Sequence, residues 1–174
     1  MSRPSAEFSR LVPLARLGAA PFCQQIEASA AEREALARRF DLLALDRLTA
    51  RVQLRRRDDD SILLEAAFEA AFTQSCVVTL EPVPGTVAQS FSLIYGPASE
   101  TGAEIALDID DTVFEPLDAD VVDIGEAVAQ ELSLALPEFP RDPEAMIDVA
   151  ADEPVDAPFA VLAQQRDRQP DGTG

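Results

Sequence analysis

From Arg47 to Arg55 apolar and polar residues alternate strictly. Leu48, Ala50, Val52 and Leu54 lie on one side, and Arg47, Thr49, Arg51, Gln53 and Arg55 on the other. A period of two sends successive side chains to opposite faces, so the segment is predicted as a half-buried strand. Asp58-Asp59-Asp60-Ser61 follows with turn chemistry, because short Asp and Ser side chains bond their own backbone. Ile62 to Phe72 fits two periods: Leu64, Phe68 and Phe72 share a helix face, and they also share a strand face with Ala66 and Ala70. The preceding turn favours a hairpin. Centred near Asp60, it would set Arg55 opposite Glu65 and Arg51 opposite Glu69, so the segment is read as a strand. Val87, Gln89, Phe91, Leu93 and Tyr95, alternating with Ala88, Ser90, Ser92 and Ile94, predict a third.

The flanks carry other signals. Residues 5–27 hold short apolar stretches broken by Gly18 and Pro21 and read as two short strands. Ser29-Ala30-Ala31-Glu32 has the form of a capping box, opening a helix from about Ala30 to Phe40 with Leu36 and Phe40 on its buried face. Cys76 to Pro82 is a turn, since Pro82 has no amide to donate and pushes Glu81 toward extended dihedrals. Pro97 to Ala103 reads as a loop and Ile105 to Ile109 as a short apolar segment. Asp123 with Glu126 opens a second helix, whose stripe is Ile124, Val128, Leu132 and Ala135 and whose end is marked by Pro137 and Pro140. From Arg141 onward the chain is acidic, Pro-containing and weakly apolar, as disordered tails are, with Phe159 to Leu162 its one apolar cluster.

Composition narrows the chemistry. The 174 residues suit one domain, burying roughly 68–70% of the unfolded surface. There are 14 Arg but no Lys, His, Asn or Trp. No imidazole can serve as base or metal ligand, and no lysine can form a Schiff base. Two cysteines, Cys23 and Cys76, are too few for a disulfide framework or a four-thiolate zinc site and are expected to be buried and reduced. No signal-peptide stretch or membrane-length apolar run stands out, so a cytoplasmic protein is expected. Of the net −18, residues 1–57 carry +5 and residues 58–174 carry −23. An acidic body repels phosphate, which disfavours duplex DNA.

Three constellations carry candidate chemistry. Asp108-Ile109-Asp110-Asp111-Thr112 after an apolar segment fits the Asp-x-Asp-x-Thr pattern of haloacid-dehalogenase-like phosphatases. However, only 62 residues follow Thr112 and the phosphate-steadying lysine is absent. The same acids fail as an EF-hand, with Val113 and Ala119 where Gly and Glu are needed. Arg55-Arg56-Arg57 could seek phosphate, but three aspartates follow at once.

Cys76-Val77-Val78-Thr79-Leu80-Glu81-Pro82-Val83, the alternating strand after it, Asp123-Ile124-Gly125-Glu126 and Glu131 to Pro137 together resemble the YceD-like large ribosomal RNA subunit accumulation proteins of bacteria and plastids. The Phe8-Ser9-Arg10 opening is compatible, and the resemblance covers roughly residues 5–145. It implies a small non-enzymatic protein needed for accumulation or processing of large-subunit ribosomal RNA, with Cys76, Leu80, Glu81, Pro82, Asp123, Leu136 and Pro137 as motif positions. Many members read Cys-x-x-Cys here, which suggests metal. Thr79 stands in place of the second Cys, so no zinc site carries over and Cys76 is read as part of a structural turn.

The expectation is therefore an α+β domain over residues 1–145, with an antiparallel, hairpin-rich, partly barrel-like sheet and two helices, followed by a disordered acidic tail over 146–174. No catalytic, cofactor or metal residue is assigned. The contact face would be Arg47, Arg51, Arg55, Arg56 and Arg57, touching large-subunit ribosomal RNA, or a basic ribosomal or RNA-processing protein would meet the acidic half. A phosphohydrolase using Asp108 and Asp110, or an acidic protein-binding module unrelated to ribosomes, are the alternatives.

Overall fold

A computed structural model describes residues 6–96, 113–117 and 120–146. In chain order the elements are β1 (Leu11–Pro13), a 3-10 turn (Leu14–Arg16), β2 (Phe22–Glu27), α1 (Ala30–Arg39), β3 (Ala44–Arg56), β4 (Ile62–Ser75), β5 (Pro82–Gly96), β6 (Val113–Pro116), β7 (Val121–Asp123) and α2 (Ile124–Ala135). All lie in the first of the two units into which the chain divides, Met1–Pro143. Among the described residues, no helix is long and apolar enough to cross a membrane.

β2 to β6 form one open sheet in sequence order, and β1 pairs with β7 in a separate two-stranded ribbon. The barrel-like expectation is thus corrected: the ladder runs from β2 to β6 and does not close. The purely antiparallel expectation is corrected too, because β6 lies parallel to β5, with Leu93 beside Val113 and Tyr95 beside Glu115. A parallel partner needs a long connection, and residues 97–112 supply that length outside the described residues. The loop and apolar segment expected there, Asp108 and Asp110 included, fall outside the described residues, as does Phe159 to Leu162 in the tail.

The ambiguous stretch Ile62 to Phe72 is a strand. Ile62, Leu64, Ala66, Phe68, Ala70 and Phe72 are all buried on one face. Ala66 and Ala70, on either side of Phe68 on that face, leave room for the rings. Phe68 meets Phe91 of β5 edge-on at 6.2 Å, and Gly85 opposite Phe72 holds space that a β-carbon would take, 2.6 Å from the ring. The Asp-rich turn also forms, with the Asp59 carboxylate accepting from both the amide (3.0 Å) and the hydroxyl (2.5 Å) of Ser61.

α1 opens as its sequence predicts. The Ser29 hydroxyl accepts from Glu32 N–H (3.4 Å), and the Glu32 carboxylate accepts from Ser29 N–H (2.7 Å). Glu32 also takes a forked bond from Arg10 (2.6 and 3.0 Å). That guanidinium pulls its carboxyl down to about 2. α2 is capped by Asp123 and buries Ile124, Val128 and Leu132. The reciprocal half of its capping box does not form, because Glu126 turns to Arg39 (2.8 and 3.0 Å). Leu136 is extended ahead of Pro137, as a residue before proline prefers.

Both helices and the β1–β7 ribbon pack on one face of the sheet, burying Phe8, Leu36, Leu48, Leu54, Phe68, Val122 and Leu132 in a single core. The opposite face carries the exposed side chains of Arg51, Arg55, Ala67, Glu69, Ala88 and Ser90.

Candidate functional site

Arg47, Arg51 and Arg55 sit on that exposed face, as strand alternation requires, while Arg56, opposite Ile62, has the other parity and Arg57 follows the end of β3. Cross-strand rows read Glu27, Thr49, Glu69 and Ala88; then Gln25, Arg51, Ala67 and Ser90; then Cys23, Gln53, Glu65 and Ser92. The register is two residues away from the expected one, since Arg55 faces Leu63 and Arg51 faces Ala67. Arg55 still reaches Glu65 on the diagonal (2.6 Å), within range for a long side chain. Glu69 pairs with Arg47 (3.1 Å) and not with Arg51, which corrects the second predicted pair.

Between those two ion pairs lies an open depression of about 1050 Å³ whose floor is small: Cys23, Ala67, Ser90 and Ser92. Arg51 lines it and, among the described residues, makes no ion pair. Arg56 reaches Asp60 (3.5 Å), while Arg57 lies beside Asp59 and helps hold that carboxyl low, behind the two bonds from Ser61. Three arginines and three glutamates, Glu27, Glu65 and Glu69, share the face, so it is close to neutral. Cys23 is exposed here, against the expectation of two buried thiols. Its position opposite Gln53 puts it on the outer side.

Cys76 lies at another end of β4 and is fully buried. Its sulfur accepts from the backbone N–H groups of Val78 (3.4 Å), Thr79 (3.5 Å) and Asp142 (3.5 Å). Cys76 N–H donates to Glu81 O (2.8 Å), and Leu80 N–H to Cys76 O (2.9 Å). This motif is a backbone clip that joins the β4–β5 turn to the chain after α2. The Thr79 side chain first, then the N–H groups of Asp142, Thr79 and Val78, draw the thiol down from 9.0 to about 7, against the burial that raises it. A folded-state value below the unfolded one adds stability that is complete above pH 9 and lost as pH falls through 7. The stability gap between the native chain and Cys76→Ser should therefore widen from pH 7 to pH 9 in urea unfolding. A gap independent of pH would count against the clip. In the same experiment iodoacetamide should label Cys23 in the folded chain and Cys76 only after unfolding.

Of the other motif positions, Glu81 and Pro82 are exposed at the start of β5, Leu136 is half-buried and Pro137 exposed. Asp123 is the busiest. Its Oδ1 accepts from the amides of Arg10 (2.7 Å), Gly125 (3.1 Å) and Glu126 (3.2 Å), and its Oδ2 from the Ser9 hydroxyl (2.6 Å). Spacing gave the cap but not its bonds to Ser9 and Arg10, because no local pattern announces a partner 114 residues away. Among the described residues no cluster of three Cys, Asp or Glu side chains could hold a metal, and no buried side-chain nitrogen or oxygen lacks a partner.

A family model described as large ribosomal RNA subunit accumulation protein YceD matches residues 64–170, more than half of the chain. No curated protein and no solved structure matches it. The matched stretch contains the Cys76 turn, Asp123 and α2, and it leaves out β3, where most of the arginine face resides.

Proposed function

The chain belongs to the YceD family of large ribosomal RNA subunit accumulation proteins, and from that premise we propose that it is a non-enzymatic cytoplasmic factor that supports accumulation or processing of large-subunit ribosomal RNA through a protein contact. Residues 1–145 would be its folded domain and 146–174 an acidic tail. The observation that favours protein over RNA is the neutral sheet face. Among the described residues Arg47, Arg55 and Arg56 are already paired to Glu69, Glu65 and Asp60, and Arg57 lies beside Asp59, which leaves Arg51 as the member of the set with no acidic partner. Tight phosphate binding draws on several unpaired cations, each releasing counterions. A face so largely neutralised, on a chain of net −18, has little to offer a polyanion.

Two measurements test this reading. A deletion strain should show reduced large-subunit ribosomal RNA, and an unchanged profile would retire the ribosomal role in favour of an unrelated acidic binding module. In filter binding at about 0.15 M salt, the purified chain should show no tight affinity for naked large-subunit ribosomal RNA, and Arg51→Ser should change nothing. Tight binding lost in Arg51→Ser would shift the function to direct RNA contact through the arginine face. Asp108 and Asp110 supply the residual enzymatic reading, which magnesium-dependent hydrolysis of a generic phosphate ester, abolished in Asp108→Asn, would support.

A further inference from the structure

Two bonded segments at the Cys76 end of the sheet carry exposed apolar side chains, and one of these is held at a conformational cost. The β4–β5 turn is joined to the chain after α2 by Val77 N–H to Pro140 O (2.9 Å), the Gln74 side-chain amide to Pro137 O (3.1 Å) and Asp142 N–H to Cys76 Sγ (3.5 Å). Val77 and Leu80 from the turn are 52% and 76% exposed, and Phe139 from the other segment is 73% exposed.

Leu80 has φ 62°, in the left-handed region. Among the described residues the other non-glycine residues there are Asp41 and Asp60, whose short polar side chains suit it. A leucine there is strained by roughly 1–2 kcal/mol, and with 76% of the residue in water its side chain regains little by burial. Asparagine or glycine would serve the turn better. Neither the backbone nor the core asks for leucine at this position, so its use lies outside the fold.

The surroundings indicate what could cover it. Glu81 adjoins Leu80 and Glu138 adjoins Phe139; both are exposed and make no ion pair among the described residues. Arg141, the nearest cation in sequence, has an interaction of its own. A second copy of this chain would bring like charges together across a two-fold axis, and a nucleic acid or anionic membrane would meet the same carboxylates. A basic segment with apolar side chains matches both features.

We propose that Val77, Leu80 and Phe139, framed by Glu81 and Glu138, dock a basic, partly apolar segment of a protein of the large ribosomal subunit. This deepens the protein-contact reading above and rests on it. The test mixes the purified full chain, immobilised, with the protein fraction of purified large ribosomal subunits. At least one basic protein should be retained at about 0.15 M salt. Retention should fall roughly tenfold or more in Leu80→Asn and in Phe139→Ser, as for an anchor at an interface. It should not fall in Leu11→Ser, an exposed leucine on β1. Leu80→Asn should melt at the native temperature or above, which separates docking from folding.

No retained basic protein, equal loss in Leu11→Ser, or full retention in both turn variants would overturn the proposal. So would ribosomal RNA being the retained species, or a concentration-dependent dimer that Leu80→Asn dissolves. In the deletion strain the two ideas separate. If deletion lowers large-subunit RNA but the Leu80→Asn and Phe139→Ser chains restore it fully, the docking surface fails while the ribosomal role stands.

Discussion

Gly125→Ala is expected to destabilise the protein by roughly 2–4 kcal/mol, although the same change in an exposed helix gains about 1 kcal/mol. A β-carbon at 125 would overlap the carbonyl oxygen of Phe8 and sit 3.0 Å from the amide nitrogen of Arg10. Both are backbone atoms and cannot rotate away. They are also fixed, because Arg10 N–H is bonded to Asp123 (2.7 Å) and Arg10 O accepts from Ile124 N–H (3.1 Å). The added methyl must push the N-terminal segment off the first turn of α2 and expose Phe8, which is completely buried. Urea unfolding is the check: the midpoint should drop, and the slope should fall too if the segment is already detached in the folded state. A variant as stable as the native chain would mean that the close approach is not kept in solution.

Asp123→Ala should cost about 2–4 kcal/mol, combining a lost helix cap with lost charge-assisted bonds. One carboxylate oxygen serves three amides, those of Arg10, Gly125 and Glu126, and the other serves the Ser9 hydroxyl. Alanine leaves all four donors to water or to nothing. Asparagine can keep its one oxygen on the three amides and turns its amide nitrogen, a donor, to the Ser9 hydroxyl oxygen, so Asp123→Asn should cost less, about 1 kcal/mol. Equal losses in the two variants would show that net charge, and not the three-amide bond set, is what matters. Because Gly125 and Asp123 act on the same segment, the double variant should lose less than the sum of the two.

How far the sequence could be read depended on the range of the signal. α1 and β3 were legible because a capping box and a strict period of two are local, and each formed as expected. β4 was resolved by the Asp-rich turn before it, since its apolar spacing fits helix and strand alike. The register of that hairpin was misjudged by two residues. Long Arg and Glu side chains can meet on the diagonal, so matching charges do not fix which backbones lie opposite. β6 was missed because its four residues are too few to show a period, and its parallel partner is set by a connection with no pattern of its own. At the candidate sites, alternation put Arg47, Arg51 and Arg55 on one face, but their neutralisation by Glu65 and Glu69 needed the true register. The left-handed turn at Leu80 leaves no trace in residue type, since leucine is what such a position usually excludes.

The bonds between Asp123 and the Ser9–Arg10 backbone also bear on the order in which the molecule can be assembled. Phe8 is made long before the helix that covers it, which begins at Ile124. Until α2 is made the segment around Phe8 therefore has no seat, and the hairpin of β3 and β4 can pair long before it does. The segment around Phe8 is made before that hairpin and enclosed after it.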